Sequence, residues 1–150
     1  MTNDQEQNNW LQKQCVIVPV DFSPESFAAL TPARAFVGDE SQIHLLHVLT
    51  KLPATEPGVL WQTVSDRTRT NQVKAKLRER LNDSKAENFQ ISVVFGNPSA
   101  EIVKYAQNQD ADLIVMPSHG RTGLDYFLRG SVAERVVRFS HCPVLVLRGD

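Results

Sequence analysis

A chain of 150 residues with 41% hydrophobic and 22% charged side chains has the make-up of one globular domain with a core of its own. The formal net charge of −1 argues against a general nucleic-acid binder, which would carry a basic stripe, and no apolar run approaches the roughly 18 residues of a membrane span. Cys15 and Cys142 form no CxxC and read as two buried thiols of a reducing cytosol rather than a disulfide framework.

Met1 to Gln14 is polar, rich in Asn and Gln, and lacks the apolar centre of a signal peptide. It is expected to be a flexible leader (1–14), with Trp10 and Leu11 able to anchor it, ahead of a single domain over 15–150. Cys15 to Val20 is a nearly continuous apolar run, as expected of a strand buried on both faces. Asp21-Phe22-Ser23-Pro24 ends it. Ser23 is a good N-cap and Pro24 suits the first helical position, so a helix should run to about Val37 with Phe27, Leu30 and Phe36 on its apolar side. Pro32 lies inside that span and predicts a bend, at a local cost of about 3 kcal/mol.

Ile43 to Leu49 is the second strand, followed by a long polar loop over Thr50–Gly58 and a helix from about Leu60 to Asn82. Val73, Leu77 and Leu81 form one apolar stripe on this helix, opposite a charged, solvated face of Lys74, Lys76, Arg78, Glu79 and Arg80. Phe89 to Phe95 is the third strand. Asn97 caps the next helix with Pro98 at its first position, and Ile102, Val103 and Ala106 face inward. Leu113 to Met116 is the fourth strand. A last helix spans Ser131 to about Phe139 with Val132, Val136 and Val137 inward, Cys142-Pro143 breaks the chain, and Val144 to Leu147 is the fifth strand. Strands alternating with helices predict an α/β domain with a parallel sheet and helices on both faces, whose ligands sit at the carboxyl ends of the strands at a switch point.

The chain has no GxxxxGK[ST], no GxGxxG after its first strand and no GxSxG. His44 and His47 are three apart in a strand and so face opposite sides; zinc is not expected, and His47 reads as a hydrogen-bonded core or strand-end histidine. The informative stretch is Asp112 to Ser131. An apolar strand ends at Met116-Pro117, the loop Ser118-His119-Gly120-Arg121-Thr122-Gly123 follows, and Gly130-Ser131 opens a helix. Strand, glycine loop and helix N-terminus is the arrangement that binds phosphates, because free backbone N–H groups and the helix dipole both favour an anion. Gly120 and Gly130 let the backbone approach a phosphate, and Arg121 and Arg129 offer charge-assisted bonds. Asp21, at a strand end, suits Mg²⁺ held through water. Plainer readings stand beside these. The glycines make turns, Ser131 and Glu134 form a capping box, Asp21 caps a turn, and Cys142-Pro143 terminates a helix.

The spacing Pro117-x-x-Gly120, nine residues, Gly130-Ser131 resembles the G-x2-G-x9-G-[ST] signature of the universal stress protein family in its nucleotide-binding type. Further matches are Val18-Pro19-Val20-Asp21-Phe22-Ser23, Leu46-His47-Val48, Gly96-Asn97-Pro98 with Glu101-Ile102-Val103, Gly130-Ser131-Val132-Ala133-Glu134-Arg135-Val136 and Cys142-Pro143-Val144-Leu145-Val146, so the likeness extends from Cys15 to Leu147. The resemblance implies a Rossmann-like fold of the adenine nucleotide alpha hydrolase type: a five-stranded parallel sheet of order 3-2-1-4-5. It implies ATP or AMP, with Mg or Mn as a possible companion ion, at the strand ends. It also implies a cytoplasmic homodimer joined through the C-terminal strand, Val144–Leu147.

Carried over position by position, Pro19 and Val20 line the adenine pocket with Val48 against the base. Asp21 lies near the ribose or a phosphate-bound metal. Met116, Pro117, Ser118, His119, Gly120, Arg121, Thr122 and Gly123 wrap ribose and phosphates, and Gly130, Ser131, Val132 and Ala133 meet the phosphate tail. The chain departs from the signature at Pro117, which stands where the first glycine belongs; proline has no N–H to offer and a fixed φ. Three functions compete: an ATP/AMP-binding regulatory protein of the stress response, a slow ATPase or phosphotransferase, and an interaction module with a vestigial pocket. With no general base in view beyond Asp21 and His119, the enzyme ranks below the regulator.

Overall fold

The computed structural model of the chain describes residues 11–50, 65–81, 88–118 and 130–148. The strands are β1 (Val16–Pro19), β2 (Ile43–Leu49), β3 (Gln90–Phe95), β4 (Leu113–Pro117) and β5 (Val144–Leu147). The helices are α1 (Pro24–Ala28), α2 (Leu30–Arg34), α3 (Asp66–Leu81), α4 (Pro98–Asn108) and α5 (Gly130–Phe139). Neighbouring strands pair in parallel, and the sheet order is β3-β2-β1-β4-β5.

Alternation along the buried strands separates two cores. Val16, Val18 and Val20 of the first strand and its exit, with Ile43, Leu45, Leu113 and Val115, face Ala29, Leu30, Ala33 and Leu77 of the segments around α1, α2 and α3. Ile17, Leu46, Val48, Ile114 and Met116 face Ile102 and Ala106 of α4 and Ala133 and Val136 of α5. Every residue of β1 and β4 is buried, which is why these runs lack polar alternation.

Where the helices begin and end follows local chemistry. Ser23 accepts the amide of Ser26 and Pro24 follows it; Asn97 accepts the amide of Ala100 and Pro98 follows it. The single bent helix expected over 24–37 is two short helices that break at Ala29 and end at Arg34. The break places Pro32 in the first turn of α2, where an N–H has no intrahelical acceptor and its loss costs nothing. Of the helix expected over 60–82, residues 60–64 and 82 lie outside the described residues; α3 begins at Asp66, where Ser65 accepts the amide of Thr68 as an N-cap does. Leu77 of its stripe is fully buried, with Val73 and Leu81 partly so. On the charged side, Arg80 lies over the Phe27 ring. On α5, Val137 is 53% exposed instead of inward, and Ala133 is buried against the sheet with Val136, three residues on along one helical stripe.

The chain is fastened ahead of β1. The Lys13 amide donates to the Phe36 carbonyl at 2.6 Å, and the amides of Gln14 and Cys15 donate to the Asp112 carboxylate at 2.9 and 3.1 Å. Of the leader, residues 1–10 lie outside the described residues, and Leu11 is exposed. Cys15 and Cys142 are free and half-buried; burial, with Asp112 beside it, pushes the Cys15 thiol up to about 11, so it stays a protonated, unreactive thiol.

Gly96 makes the exit from β3. Its φ of +146° is open to glycine, its amide donates to the Leu49 carbonyl at 2.9 Å, and a Cβ there would lie 2.7 Å from Glu101 Oε1. Gly96→Ala is expected to lower unfolding free energy by about 1–3 kcal/mol. Urea denaturation checks this: a reduced midpoint with an unchanged slope is the expected outcome, and an unaltered midpoint refutes it.

Candidate functional site

The sheet opens between β1 and β4. These strands are in register at Val16↔Leu113 and Ile17↔Ile114. Beyond that point β1 stays with β2, through Val18↔Leu45 and Pro19↔Leu46, while β4 stays with β5 out to Pro117↔Leu147. The chain leaves β1 for one face and β4 for the other, so the two carboxyl ends border a crevice at the switch point.

On the β1 side the turn is tightly specified. Asp21 is buried; its Oδ1 accepts from the Ser23 amide at 3.0 Å and from the Ser23 hydroxyl, and its own amide donates to Ser26 Oγ at 3.3 Å. Ser26 Oγ in turn donates to the Ser23 carbonyl at 2.8 Å. Phe22 sits between at φ 66°, in the left-handed region, at a cost on the order of 1 kcal/mol for a bulky residue. Edge contacts of its ring with Phe27 and His47, at centroid distances of 6.1 and 5.1 Å, hold it there. His47 Nδ1 lies 2.7 Å from the Val20 carbonyl; a carbonyl only accepts, so Nδ1 carries the proton.

These contacts involve two residues expected at the site, Val20 and Asp21. Val20 buries its side chain fully in the core on the α1–α3 face, donates its amide to the Leu46 carbonyl at 2.9 Å and receives His47 at its own carbonyl. Its side chain thus lies on the opposite face from Val48 and Met116. Asp21 serves the turn. Its Oδ1 accepts twice within the turn, from the Ser23 amide and the Ser23 hydroxyl.

The other wall is apolar. Val48, Met116, Val132 and Ala133 belong to one cluster, so the second strand, the fourth strand and the first turn of α5 meet on the same face of the sheet. Pro19, buried at its strand end, follows Ile17 onto this face, whereas Pro117, also buried, falls by alternation on the face of Leu113 and Val115. The amides of Ile114 and Ser118 donate to the carbonyls of Pro143 and Leu147, on the β5 side, at 3.0 and 2.7 Å. Alternation then turns the nitrogen of Pro117 toward β1. By that register its missing N–H falls where the β1–β4 ladder has already ended: the sheet loses no bond, but the crevice loses a donor.

His119, Gly120, Arg121, Thr122 and Gly123 lie outside the described residues. The segment resumes at Gly130, the first residue of α5. Ser131 is therefore not the N-cap; it is exposed in the first turn, and Glu134, its expected capping-box partner, pairs with Arg138 at 3.1 Å. The shift of one residue is consequential. Gly130, Ser131 and Val132 become first-turn residues whose N–H groups have no acceptor within the helix, at its positive end.

His47 is the hydrogen-bonded strand-end histidine expected from the sequence. Sequence reading missed Ser26 and the packing of Phe22, which shape the β1 turn through contacts that no spacing encodes. Arg69 also escaped notice: it donates to the Thr50 carbonyl at 3.1 Å and lies over the Phe95 ring, pinning the ends of β2 and β3. Its position in a polar helix turn carried no signal.

Residues 14–148 match the universal stress protein family. The chain is similar to the universal stress protein MJ0531 of Methanocaldococcus jannaschii, 33% identical over 89% of this chain and 81% of that protein. It is likewise similar to the universal stress protein MJ0577 of the same organism, 34% identical over 89% of this chain and 93% of the relative. The solved structure of MJ0577 superposes with a TM-score of 0.64, covering 91% of this chain and 96% of that one. An Arabidopsis thaliana universal stress protein family member, solved with AMP bound, shares the fold at 18% identity, with a TM-score of 0.54 and coverage of 91% and 92%.

Burial holds His44 and His47 below the ordinary histidine pKa, with the Val20 hydrogen bond and Asp21 partly opposing this at His47. The unfolded chain takes up these protons below about pH 6.5 while the folded chain does not. Their contribution is thus intact above that pH and lost as pH falls toward the lowered folded values. His47→Gln should flatten the stability profile between pH 6.5 and 5 by up to about 1.4 kcal/mol per pH unit, measured by urea titration at each pH. An unchanged slope contradicts this.

Proposed function

The chain belongs to the universal stress protein family, and from that premise we propose that it binds an adenine nucleotide, ATP or AMP, at the β1/β4 crevice. In this reading it regulates the stress response by holding the nucleotide and not by turning it over. The observation that carries the reading is the convergence of Val48 and Met116 with the first turn of α5 on one face at the switch point. An apolar wall suits a base, and a helix N-terminus suits phosphate. The AMP-bound Arabidopsis neighbour has the same fold and is compatible with this assignment.

In this assignment Pro19, Val48 and Met116 contact the base. Pro117 and Ser118 border the ribose, and the amides of Gly130, Ser131 and Val132 with the Ser131 hydroxyl receive the phosphates. His119 to Gly123 complete the loop. Asp21 acts as a positioning residue that sets the β1 turn, and no metal ion is part of the proposal, because its carboxylate is already engaged with Ser23. The same engagement makes Asp21 a poor general base, which supports binding over hydrolysis. We place the protein in the cytoplasm as a homodimer joined along β5. That strand is an edge of the sheet, half-buried and wholly apolar, and such edges invite pairing. Pro117 favours one other reading, a pocket that no longer binds and a protein that works through its surfaces.

Titration calorimetry with AMP and ATP separates the two. Ser131→Glu places a carboxylate at the start of α5, where the helix tolerates it but a phosphate does not. It should weaken ATP at least tenfold while thermal stability is kept. Pro117→Gly restores a donor and should tighten binding about three- to tenfold, the worth of one hydrogen bond. No heat of binding from the unaltered chain or from Pro117→Gly would favour the vestigial pocket. For the dimer, Val146→Asp should lower the mass in solution by light scattering; an unchanged dimer would exclude the β5 interface.

A further inference from the structure

A second concave surface lies away from the crevice, along the seam between α4 and α5. Its volume is about 500 Å³, and it is lined by Ala100, Val103, Lys104 and Gln107 of α4 and by Arg135 and Phe139 of α5, with the N-cap of α4 at one end. These residues recur at helical spacing on each wall, so the groove follows the helix axes for about two turns. Its floor is apolar. Phe139 is 65% exposed, a large ring left in water at one rim.

The charges around it have one sign. No Asp or Glu is among the residues that line it, and neither Lys104 nor Arg135 has an ion-pair partner among the described residues. Nearby acids are engaged or directed elsewhere: Glu134 pairs with Arg138, and Glu101 lies against Gly96. Most of the lining side chains are exposed, so the groove is too open to enclose the 70–90% of a small ligand's surface that small-molecule sites bury. It fits a body that brings its own bulk.

We propose that the α4/α5 groove is a docking surface for an acidic amphipathic helix of a partner protein. Apolar side chains at i, i+3 or i+4, and i+7 of such a helix would fill the groove against Val103 and Phe139, and carboxylates on its flanks would meet Lys104 and Arg135. The proposal goes beyond nucleotide binding and does not depend on it, because no residue of this floor belongs to the crevice.

The test uses the full chain, labelled with ¹⁵N, and two designed helical peptides with the same leucine pattern, one flanked by Glu and one by Lys. The Glu peptide should bind saturably, with amide shifts centred on Ala100, Val103, Gln107 and Phe139, and at least tenfold more tightly than the Lys peptide. The double variant Lys104→Glu with Arg135→Glu should reverse that preference. Equal affinity for the two peptides, or shifts centred elsewhere, would overturn the proposal. So would groove signals that move with protein concentration alone, which would make a second copy of the chain the occupant. Should the double variant fail to fold, the comparison of the two peptides on the unaltered chain decides by itself.

Discussion

The constraint on which the rest depends is the divided pairing of β1. A buried strand must satisfy its backbone groups on both sides, and β1 does so with β2 along its length but with β4 only through its first half. Past Ile17 and Ile114 the ladder between β1 and β4 ends, and the chain departs to opposite faces. The cleft is thus a consequence of topology, and side chains only decorate it. Its wall residues are already buried for the sake of the sheet, so forming the apolar wall requires little further ordering.

The turn after β1 shows how such a position is stabilised. Asp21, Ser23 and Ser26 close a local hydrogen-bond circuit, Phe22 accepts a left-handed backbone, and His47 reaches across from β2 to the Val20 carbonyl. Each contact compensates for another: the aromatic packing of Phe22 offsets its strain, and the hydrogen bond to Val20 offsets part of the cost of burying an imidazole. Polar residues whose spacing suggests chemistry here act mainly on the backbone.

This explains what was legible in the sequence. The strands β2 and β5 were readable to the residue, because the runs bounded by Gln42, Thr50, Pro143 and Arg148 leave one placement, β5 wholly apolar and β2 interrupted by His44 and His47 alone. The strand order followed from the family resemblance together with alternating elements, and Asn97-Pro98 announced its helix directly. Less legible were features decided by tertiary contact. The break at Ala29 reflects where a proline costs least, which propensity alone places three residues later. On α5 the valines at 132, 136 and 137 did not show that the small Ala133, with Val136, takes the sheet side while Val137 faces water. The surroundings of Val20 turn on which face its Cβ takes, and those of Asp21 on a hydroxyl two residues away. A motif identifies positions; it does not say whether a side chain, an amide or only the bulk of the residue is in use.

The claim that matters most is that the base and the phosphates of one nucleotide share the face where β2, β4 and α5 converge. Amide chemical-shift mapping of the ¹⁵N-labelled chain with AMP addresses it most directly. The account predicts saturable shifts at Val48, Met116, Ser118 and Gly130 to Ala133, with the α4/α5 groove residues Gln107 and Phe139 left in place. Saturable shifts centred on any other surface, or none at millimolar AMP, would contradict it.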